Sequence, residues 1–226
     1  MALSTRTRLL AGFALVNLAL IAIAVLVINN RPPQPPLIQG VLLAEGRALQ
    51  PFSLLTHHNE TFDNSDLIGN WHLVSYGFTT CPDICPTTLS QLVTVNRALI
   101  SEPGVDLDIL FYSVDHRRDT VQQMASYVPF FDPDFIGLTH VDDPDNPHLP
   151  FEQSLGIMSK LVPTSEADGG ISGNDYEVNH GVTLFLINPR GELQAIFEPD
   201  EVAPGVYHFD PETLLSDYLA IRRYLG

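Results

Sequence analysis

The chain has 226 residues, and 27 acidic residues against 11 basic ones give it a formal net charge of −16. This length has room for one globular domain of ordinary size beside a short N-terminal segment. The excess of negative charge excludes a nucleic-acid surface, because such surfaces neutralise phosphate groups with lysine and arginine. We therefore expect a single catalytic or binding domain that does not act on nucleic acid.

Residues 9–28, LLAGFALVNLALIAIAVLVI, form an uncharged apolar run of 20 residues. At about 1.5 Å per residue, a helix of that length crosses the roughly 30 Å hydrocarbon layer of a membrane. A cleaved signal peptide is the alternative, but its apolar core is shorter and ends at a small-residue site. Here the run continues past Ala22 and Ala24. The sequence therefore predicts a transmembrane anchor over 9–28.

The basic residues around this run predict its orientation. Arg6 and Arg8 precede it, and Arg31 follows it. The positive-inside rule then leaves residues 1–8 in the cytoplasm and carries the rest across the membrane. We expect a single-pass protein of the inner (cytoplasmic) membrane, with a proline-rich linker over 29–40 and a domain over 41–226 on the periplasmic or outer side.

The remaining elements alternate between strand and helix patterns. Strands are predicted from period-two alternation or short apolar runs, and helices from 3.6-residue spacing. The segment 51–78 begins with an apolar/polar alternation, passes a turn at Asn59 and Glu60, and ends in a predicted strand, 71–78. The other predicted strands are 105–115, 135–141 and a hairpin over 182–197, with a turn at 188–191. The predicted helices are 86–100, 119–131 capped by Asp119, 151–158, and one that follows Asp210. This order predicts an α/β fold with a central mixed sheet and helices on both faces.

One segment, 162–180, is rich in glycine, serine and acidic residues and lacks periodicity. Such segments are typical of long surface loops that are functional or mobile. The sequence predicts a loop here, and the loop ends at His180.

Both cysteines of the chain, Cys81 and Cys85, lie in the stretch GFTTCPDICPTTL, and a proline follows each. Pro86 suits the first turn of a helix, where its missing N–H costs nothing, so we expect Cys85 at the cap position. A purely structural disulfide would close a very small loop and restrain the unfolded chain little. Structural zinc normally takes four protein ligands, and the chain has two thiols.

Two further interpretations of the cysteine pair compete with a structural disulfide and with zinc, for which histidines would have to supply the other ligands. Thiolates are soft ligands that select Cu(I), and two thiolates with one imidazole also suit Cu(II). Thiol–disulfide exchange is the other, because a helix N-terminus lowers the pKa of a thiol. The pair has three intervening residues, one more than the usual redox turn. The wider spacing favours a metal clamp without forbidding a disulfide.

A third ligand would have to be a histidine. His180 stands out, because it directly precedes the predicted strand GVTLFLIN, whose end could lie beside the cysteine turn in a sheet-centred fold. The eight histidines are His57, His58, His72, His116, His140, His148, His180 and His208.

Four segments, GFTTCPDICPTTL, SVDHRRDT, FDPDFIGLT and NHGVTLFLINPRGEL, occur in this order over most of the domain. Together they resemble the Sco/SenC family of membrane-tethered, thioredoxin-like copper proteins. The resemblance implies a thioredoxin-like fold and copper, as Cu(I) or Cu(II), bound by Cys81, Cys85 and His180. It also implies a role in assembling the binuclear copper centre of cytochrome c oxidase. The copper-site subunit of the oxidase would be the partner, together with other copper carriers or thiol reductants.

Three acidic residues are expected around this site. Asp83 lies in the turn, and Asp115 and Asp119 match the acidic positions of the family segment D-P-x-R-D-T. The chain departs from that segment at His116 and Arg117, which replace a proline and an acidic residue.

Two alternatives to a copper carrier use the same cysteines. A thiol–disulfide reductase would keep the oxidase copper-site cysteines reduced, with Cys81 as the attacking thiolate. A redox or copper sensor would relay to another membrane protein. His180 separates the first of these from the carrier, because thiol exchange needs no imidazole ligand.

Overall fold

The computed structural model describes residues 5–30, 34–102, 104–140, 149–164 and 176–226. The chain divides into two units, Met1–Pro35 and Pro36–Gly226. The first contains helix α1, Thr5–Asn29, of which Gly12–Asn29 is long and apolar enough to cross a membrane. By length and composition this helix fits a membrane anchor or a signal sequence. Residues 1–4 of the predicted cytoplasmic segment and 31–33 of the predicted linker lie outside the described residues.

The second unit is a mixed α/β domain. Its strands are β1 Gly40–Ala48, β2 Ser53–Thr56, β3 Thr61–Asp63, β4 His72–Gly77, β5 Asp108–Ser113, β6 Ile136–Thr139, β7 Ser159–Pro163, β8 Tyr176–His180, β9 Leu184–Ile187, β10 Glu192–Phe197, β11 Asp200–Ala203 and β12 Val206–His208. Its helices are α2 Ile84–Leu99, α3 Val121–Phe131, α4 Leu149–Leu155 and α5 Pro211–Leu225.

In the described parts of the chain, eight strands form one sheet in the order β1-β10-β9-β4-β5-β6-β2-β3. The three central neighbours β4, β5 and β6 run parallel, and the other pairs are antiparallel. Crossover helices α2 and α3 connect the parallel strands, as parallel pairing requires. The predicted mixed sheet is confirmed.

Both faces of the central strands are buried, which is why their sequences are almost continuously apolar. On β5, Phe111 faces the core that includes residues of α2, α3 and α5. Its neighbour Tyr112 faces the other core, which includes Phe151 of α4 and Val178 of β8. Helices therefore cover both faces of the sheet, as predicted.

Two predicted helix starts are wrong. Thr120, not Asp119, caps α3, and its side chain accepts a hydrogen bond from the Gln123 N–H. The Asp119 carboxylate instead accepts hydrogen bonds from Thr79 and Ser113, near the cysteine turn. Helix α2 begins at Ile84, so Cys85 lies inside the first turn rather than at the cap.

The predicted loop over 162–180 is also partly wrong. Its two ends belong to β7 and β8, which pair antiparallel with Ser159 opposite His180. Alternate residues of β8, Tyr176 and Val178, are buried, but the pattern is too short to overcome the surrounding glycines and acids. Residues 165–175, the middle of this segment, lie outside the described residues. Strand β1 and the β11–β12 hairpin were not predicted.

Candidate metal and thiol site

The cysteine turn connects the end of β4 to the start of α2. Cys81 precedes the helix and is half-buried, and Cys85 lies in its first turn and is buried. Gly77 ends β4 directly behind Cys85. A Cβ atom at this position would overlap the Cys85 sulfur. A glycine is therefore required for Cys85 to pack against the sheet.

His180, the last residue of β8, meets this turn. The ligand atoms of Cys81, Cys85 and His180 all lie within 4.8 Å of one another. Cys85 Sγ is 3.9 Å from His180 Nε2, although the two residues are 95 positions apart in the chain. The structure thus brings together the three residues that the family resemblance implied.

The orientation of the His180 ring follows from its contacts. Nδ1 lies 2.7 Å from the backbone carbonyl oxygen of Gly181, so Nδ1 carries the proton and donates it to this carbonyl. Nε2 then presents its lone pair towards the sulfurs, the arrangement found at metal-binding histidines. The rings of Tyr76 and Phe78 meet the imidazole edge-on, at centroid distances of 5.7 and 5.6 Å.

Gly181 is needed for this arrangement. A Cβ atom at Gly181 would lie 2.8 Å from the hydroxyl oxygen of Tyr76, and real Cβ atoms essentially never come so close. A side chain here would displace either the Tyr76 ring or the carbonyl that orients His180.

The two thiols differ in their environment. A hydrogen bond from Cys85 holds the pKa of Cys81 well below that of an ordinary thiol, and the backbone N–H groups of Asp83 and Cys85 act in the same direction. The pKa of Cys85 is raised, first by its hydrogen bond to Cys81 and then by burial. Cys81 is therefore the thiolate of the pair, and Cys85 holds the proton.

The three expected carboxylates lie around the site and do different things. Asp119 is buried and accepts hydrogen bonds from Thr79 N and Oγ1, at 2.9 and 2.6 Å, and from Ser113 Oγ at 2.6 Å. Since Thr79 precedes Cys81 by two residues, Asp119 anchors the cysteine turn to the end of β5. The side chain of Asp83 is exposed.

Asp115 is also buried, but it serves the histidine side of the site. Its two carboxylate oxygens accept hydrogen bonds from Arg118 Nε and from the Tyr176 hydroxyl. Tyr176 begins the strand that ends at His180. The hydrogen bonds of Asp115 thus connect the end of β5 to the β7–β8 hairpin.

The other histidines of the described chain lie in other surroundings. The rings of His57 and His58 are 3.9 Å apart, and those of His116 and His140 are 4.2 Å apart. His72 contacts Asp108 at 3.4 Å. His208 ends β12, and His148 lies outside the described residues.

The sequence analysis did not identify Tyr76, Gly77, Phe78, Thr79 or Gly181 as parts of the site. Two of them had a readable signal, since a glycine flanks the cysteine turn and another directly follows His180. The rings of Tyr76 and Phe78 belong to an apolar strand pattern, which does not show which ring faces the site.

Comparison with known proteins agrees with this geometry. The family model described as SCO1/SenC matches residues 43–208. A protein of Stutzerimonas stutzeri whose name refers to copper binding is 32% identical over 174 residues, which cover 77% of this chain and 80% of that protein. The human mitochondrial SCO1 homolog is 34% identical over 148 residues, which cover 65% of this chain and 46% of the relative. The chain thus spans about half the length of that mitochondrial relative.

Solved structures share the fold. Arabidopsis thaliana ScoI with copper bound superimposes with a TM-score of 0.64 at 29% identity, covering 78% of this chain and 99% of that one. Bradyrhizobium japonicum ScoI with copper bound gives 0.60 at 28% identity, covering 78% and 99%. BsSco, described as having a disulfide switch and belonging to the Sco family of cytochrome c oxidase assembly proteins, gives 0.54 at 20% identity, covering 80% and 98%. The fold is thioredoxin-like, and the chain belongs to the SCO1/SenC family.

Proposed function

We propose that this protein is a copper carrier that holds its cargo through Cys81, Cys85 and His180 and delivers it to the binuclear copper centre of cytochrome c oxidase. The observation that carries the proposal is the convergence of two sulfurs and one imidazole nitrogen within 4.8 Å of one another. The solved ScoI structures with copper bound support copper as the metal.

The donor set fits copper better than zinc. Thiolates are soft ligands that favour Cu(I), and two thiolates with an imidazole also accommodate Cu(II). A closed zinc site would take four protein ligands, whereas this group has three. A set of three also leaves room for a ligand from a partner, which a carrier needs in order to release its cargo by ligand exchange.

The oxidase as recipient rests on family membership. The description of BsSco as a member of a family of oxidase assembly proteins supports it. Accordingly, the copper-site subunit of the oxidase is the proposed partner. Asp83, Asp115 and Asp119 are proposed to tune the site, Asp83 through its backbone N–H and the other two by holding the chain around it.

A second candidate, thiol–disulfide exchange, is favoured by the difference between the two thiols. Cys81 is the more accessible and has the lowered pKa, whereas Cys85 is buried and protonated. In this reaction the Cys81 thiolate would attack a partner disulfide and release one partner thiolate. Cys85 would then lose its proton and attack the Cys81 sulfur, which releases the second partner thiolate. The partner would gain two electrons, and Cys81 and Cys85 would end as a disulfide.

The proposed location is the inner membrane, with α1 as an uncleaved anchor over 9–28 and the domain over 41–226 on the periplasmic side. The support is the length and composition of α1 and the distribution of arginines around it. Resistance of the full chain to extraction by alkali would agree with an anchor, and release by an alkaline wash alone would contradict it.

Substitution of His180 separates the two candidate functions. His180→Ala should leave Cys81 and Cys85 able to cycle between dithiol and disulfide, because exchange uses only the sulfurs. Loss of the nitrogen ligand should weaken Cu(II) more than Cu(I), which two thiolates can retain. The thiolate-to-Cu(II) absorption should therefore disappear, while Cu(I) remains bound.

The cellular test uses the same variant under low copper, with His58→Ala as the control because His58 is an exposed histidine of the same domain. The carrier function requires oxidase activity to fall in His180→Ala as far as it falls in the cysteine variants. Normal oxidase assembly in His180→Ala would rule out the carrier and leave the reductase.

A further inference from the structure

We propose that Arg118, together with Asp115 and Tyr176, is a positioning clasp that holds the β7–β8 hairpin so that His180 faces the cysteines. We call these three residues the hairpin clasp. The inference deepens the proposed function, because the copper measurements below rest on it. The position of the His180 ring can be measured without any metal.

The hairpin needs such a device because none of the described strands of the main sheet pairs with it. Among the described strands, β7 and β8 pair only with each other and form a separate two-stranded sheet. An isolated two-stranded hairpin is marginally stable at best in water. The direction in which β8 points is therefore decided by side-chain contacts.

The hairpin clasp supplies contacts at the first residue of β8. The buried carboxylate of Asp115 accepts from Arg118 Nε on one oxygen and from the Tyr176 hydroxyl on the other. Arg118 Nη1 donates to the Tyr176 carbonyl at 3.3 Å, and its guanidinium lies 4.2 Å from the centre of the Tyr176 ring. Both the backbone and the side chain of Tyr176 are held.

Fixing Tyr176 constrains His180 through the strand between them. Side chains at every second position of a strand point to the same face, so Tyr176, Val178 and His180 share one face of β8. The first two are buried in the domain core. Because the start of β8 is fixed and its inward face is packed, its last residue, His180, is held in one position beside the cysteines.

Arg118 is also connected to His180 through the ring of Phe78, beside the cysteine turn. The Arg118 guanidinium lies 5.8 Å from the centre of the Phe78 ring, and Phe78 meets the His180 imidazole edge-on. Arg118 therefore touches a residue on each side of the site: the start of the histidine strand and the residue that leads into the cysteine turn. The contacts of Arg118 itself are with Asp115, Tyr176 and Phe78, and none of these three residues is a proposed copper ligand.

The test compares Arg118→Ala, Arg118→Lys and Tyr176→Phe with the parent domain. Arg97→Ala is the matched control, because it removes the same charge from an exposed position on α2. In the metal-free reduced protein, the ring nitrogen and carbon resonances of His180 are followed by NMR. We expect Arg118→Ala and Tyr176→Phe to shift or broaden them, and Arg118→Lys to restore them only in part, because lysine lacks the planar fork.

Copper binding provides the second readout. Loss of a residue that orients a metal ligand typically costs 10- to 100-fold in metal affinity, and we expect a loss in this range for Cu(II) in Arg118→Ala. Formation of the Cys81–Cys85 disulfide should keep its rate, because the hydrogen bonds of the hairpin clasp join Asp115, Arg118 and Tyr176 and none of them goes to the cysteine turn. Arg97→Ala should match the parent domain in all three measurements.

The outcomes are distinguishable. Unchanged His180 resonances in both Arg118→Ala and Tyr176→Phe would overturn the hairpin clasp, whatever happens to copper. If the His180 resonances change in the variants but the parent domain binds no copper, the hairpin clasp is supported and the carrier function is refuted. If Arg118→Ala does not fold, Tyr176→Phe decides the question, since it removes one hydroxyl and keeps the packed ring.

Discussion

The cysteine turn and the histidine hairpin reach the same site in different ways. The turn lies between β4, a central strand of the main sheet, and α2, which packs on that sheet. The hairpin forms a sheet of its own. The two sulfurs are therefore placed by local structure on a rigid support, and the imidazole is placed by long-range side-chain contacts. Changes to the turn should disturb both metal and thiol chemistry, and changes to the hairpin should disturb the metal alone.

The largest effect is expected from removing one sulfur. Cys81→Ser or Cys85→Ser leaves one thiolate and one imidazole, too few soft ligands for tight copper binding. The loss should exceed the 10- to 100-fold that is typical when an outer partner of a ligand is removed. Equilibrium competition with a copper chelator measures it. If either variant still bound one copper per chain with the parent affinity, the site would lie elsewhere.

The next largest effects are expected from two glycine substitutions, which should distinguish the cysteine turn from the histidine hairpin. Gly77→Ala places a methyl group against the Cys85 sulfur, so we expect about a 10- to 100-fold loss of copper affinity together with altered disulfide formation. Gly181→Ala presses on Tyr76 beside His180 and should lower Cu(II) affinity while disulfide formation stays normal. Titration and thiol counting on both variants check this. Equal effects of the two substitutions on disulfide formation would contradict the separation of the regions.

The third prediction concerns pH. Cys81 has a pKa below the ordinary thiol value of about 8.5, so it remains a thiolate as the pH falls towards about 6. Its alkylation rate in the metal-free reduced protein should stay nearly level over that range, whereas an ordinary thiol slows about tenfold per pH unit. Cys85, whose pKa is raised, should react only at alkaline pH. Mass spectrometry of the alkylated peptides identifies the sites.

The same measurement in His180→Ala tests how strongly the regions are coupled. Cys85 is the largest cause of the lowered Cys81 pKa, and the neutral His180 imidazole, whose proton is on Nδ1, offers Cys81 no donor. The alkylation profile of Cys81 should therefore stay close to that of the parent domain. If Cys81 in this variant were alkylated with the pH profile of an ordinary thiol, the hairpin and not the turn would control the Cys81 pKa.

The smallest effect is expected from one hydroxyl beneath the cysteine turn. Thr79→Val removes the hydrogen bond from Thr79 Oγ1 to Asp119 and keeps the backbone one. We expect the free energy of unfolding to fall by about 1–3 kcal/mol, with His180 resonances unchanged. Thr94→Val, an exposed position on α2, is the control and should stay within about 0.5 kcal/mol of the parent domain. Chemical denaturation measures both.

Much of the fold was predictable because its strongest signals are local. Apolar runs predicted β4, β5 and the β9–β10 hairpin, and Asp210 predicted the start of α5, which it caps by accepting from the Thr213 N–H. Strand β1 was missed because its residues are mostly exposed at the edge of the sheet, where burial imposes no clear alternation. Asp119 was mistaken for a cap because its sequence position suits that role, while Thr79, forty residues earlier, occupies its carboxylate.

The sequence by itself determined that two thiols lie together at a helix start, because four residues of chain cannot separate them far. It also pointed to His180, first by its place before a predicted strand and then by resemblance to a family, but no local pattern measures the distance across 95 residues. The tertiary structure alone decided that His180 turns Nε2 towards the sulfurs and that Cys85 is buried with a raised pKa, while Cys81 has the lowered pKa of the thiolate that the sequence predicted. The imidazole is held by the neighbouring Gly181 carbonyl and by the rings of Tyr76 and Phe78 from a distant segment. The pKa of Cys85 is raised by its hydrogen bond to Cys81 and by burial against the sheet.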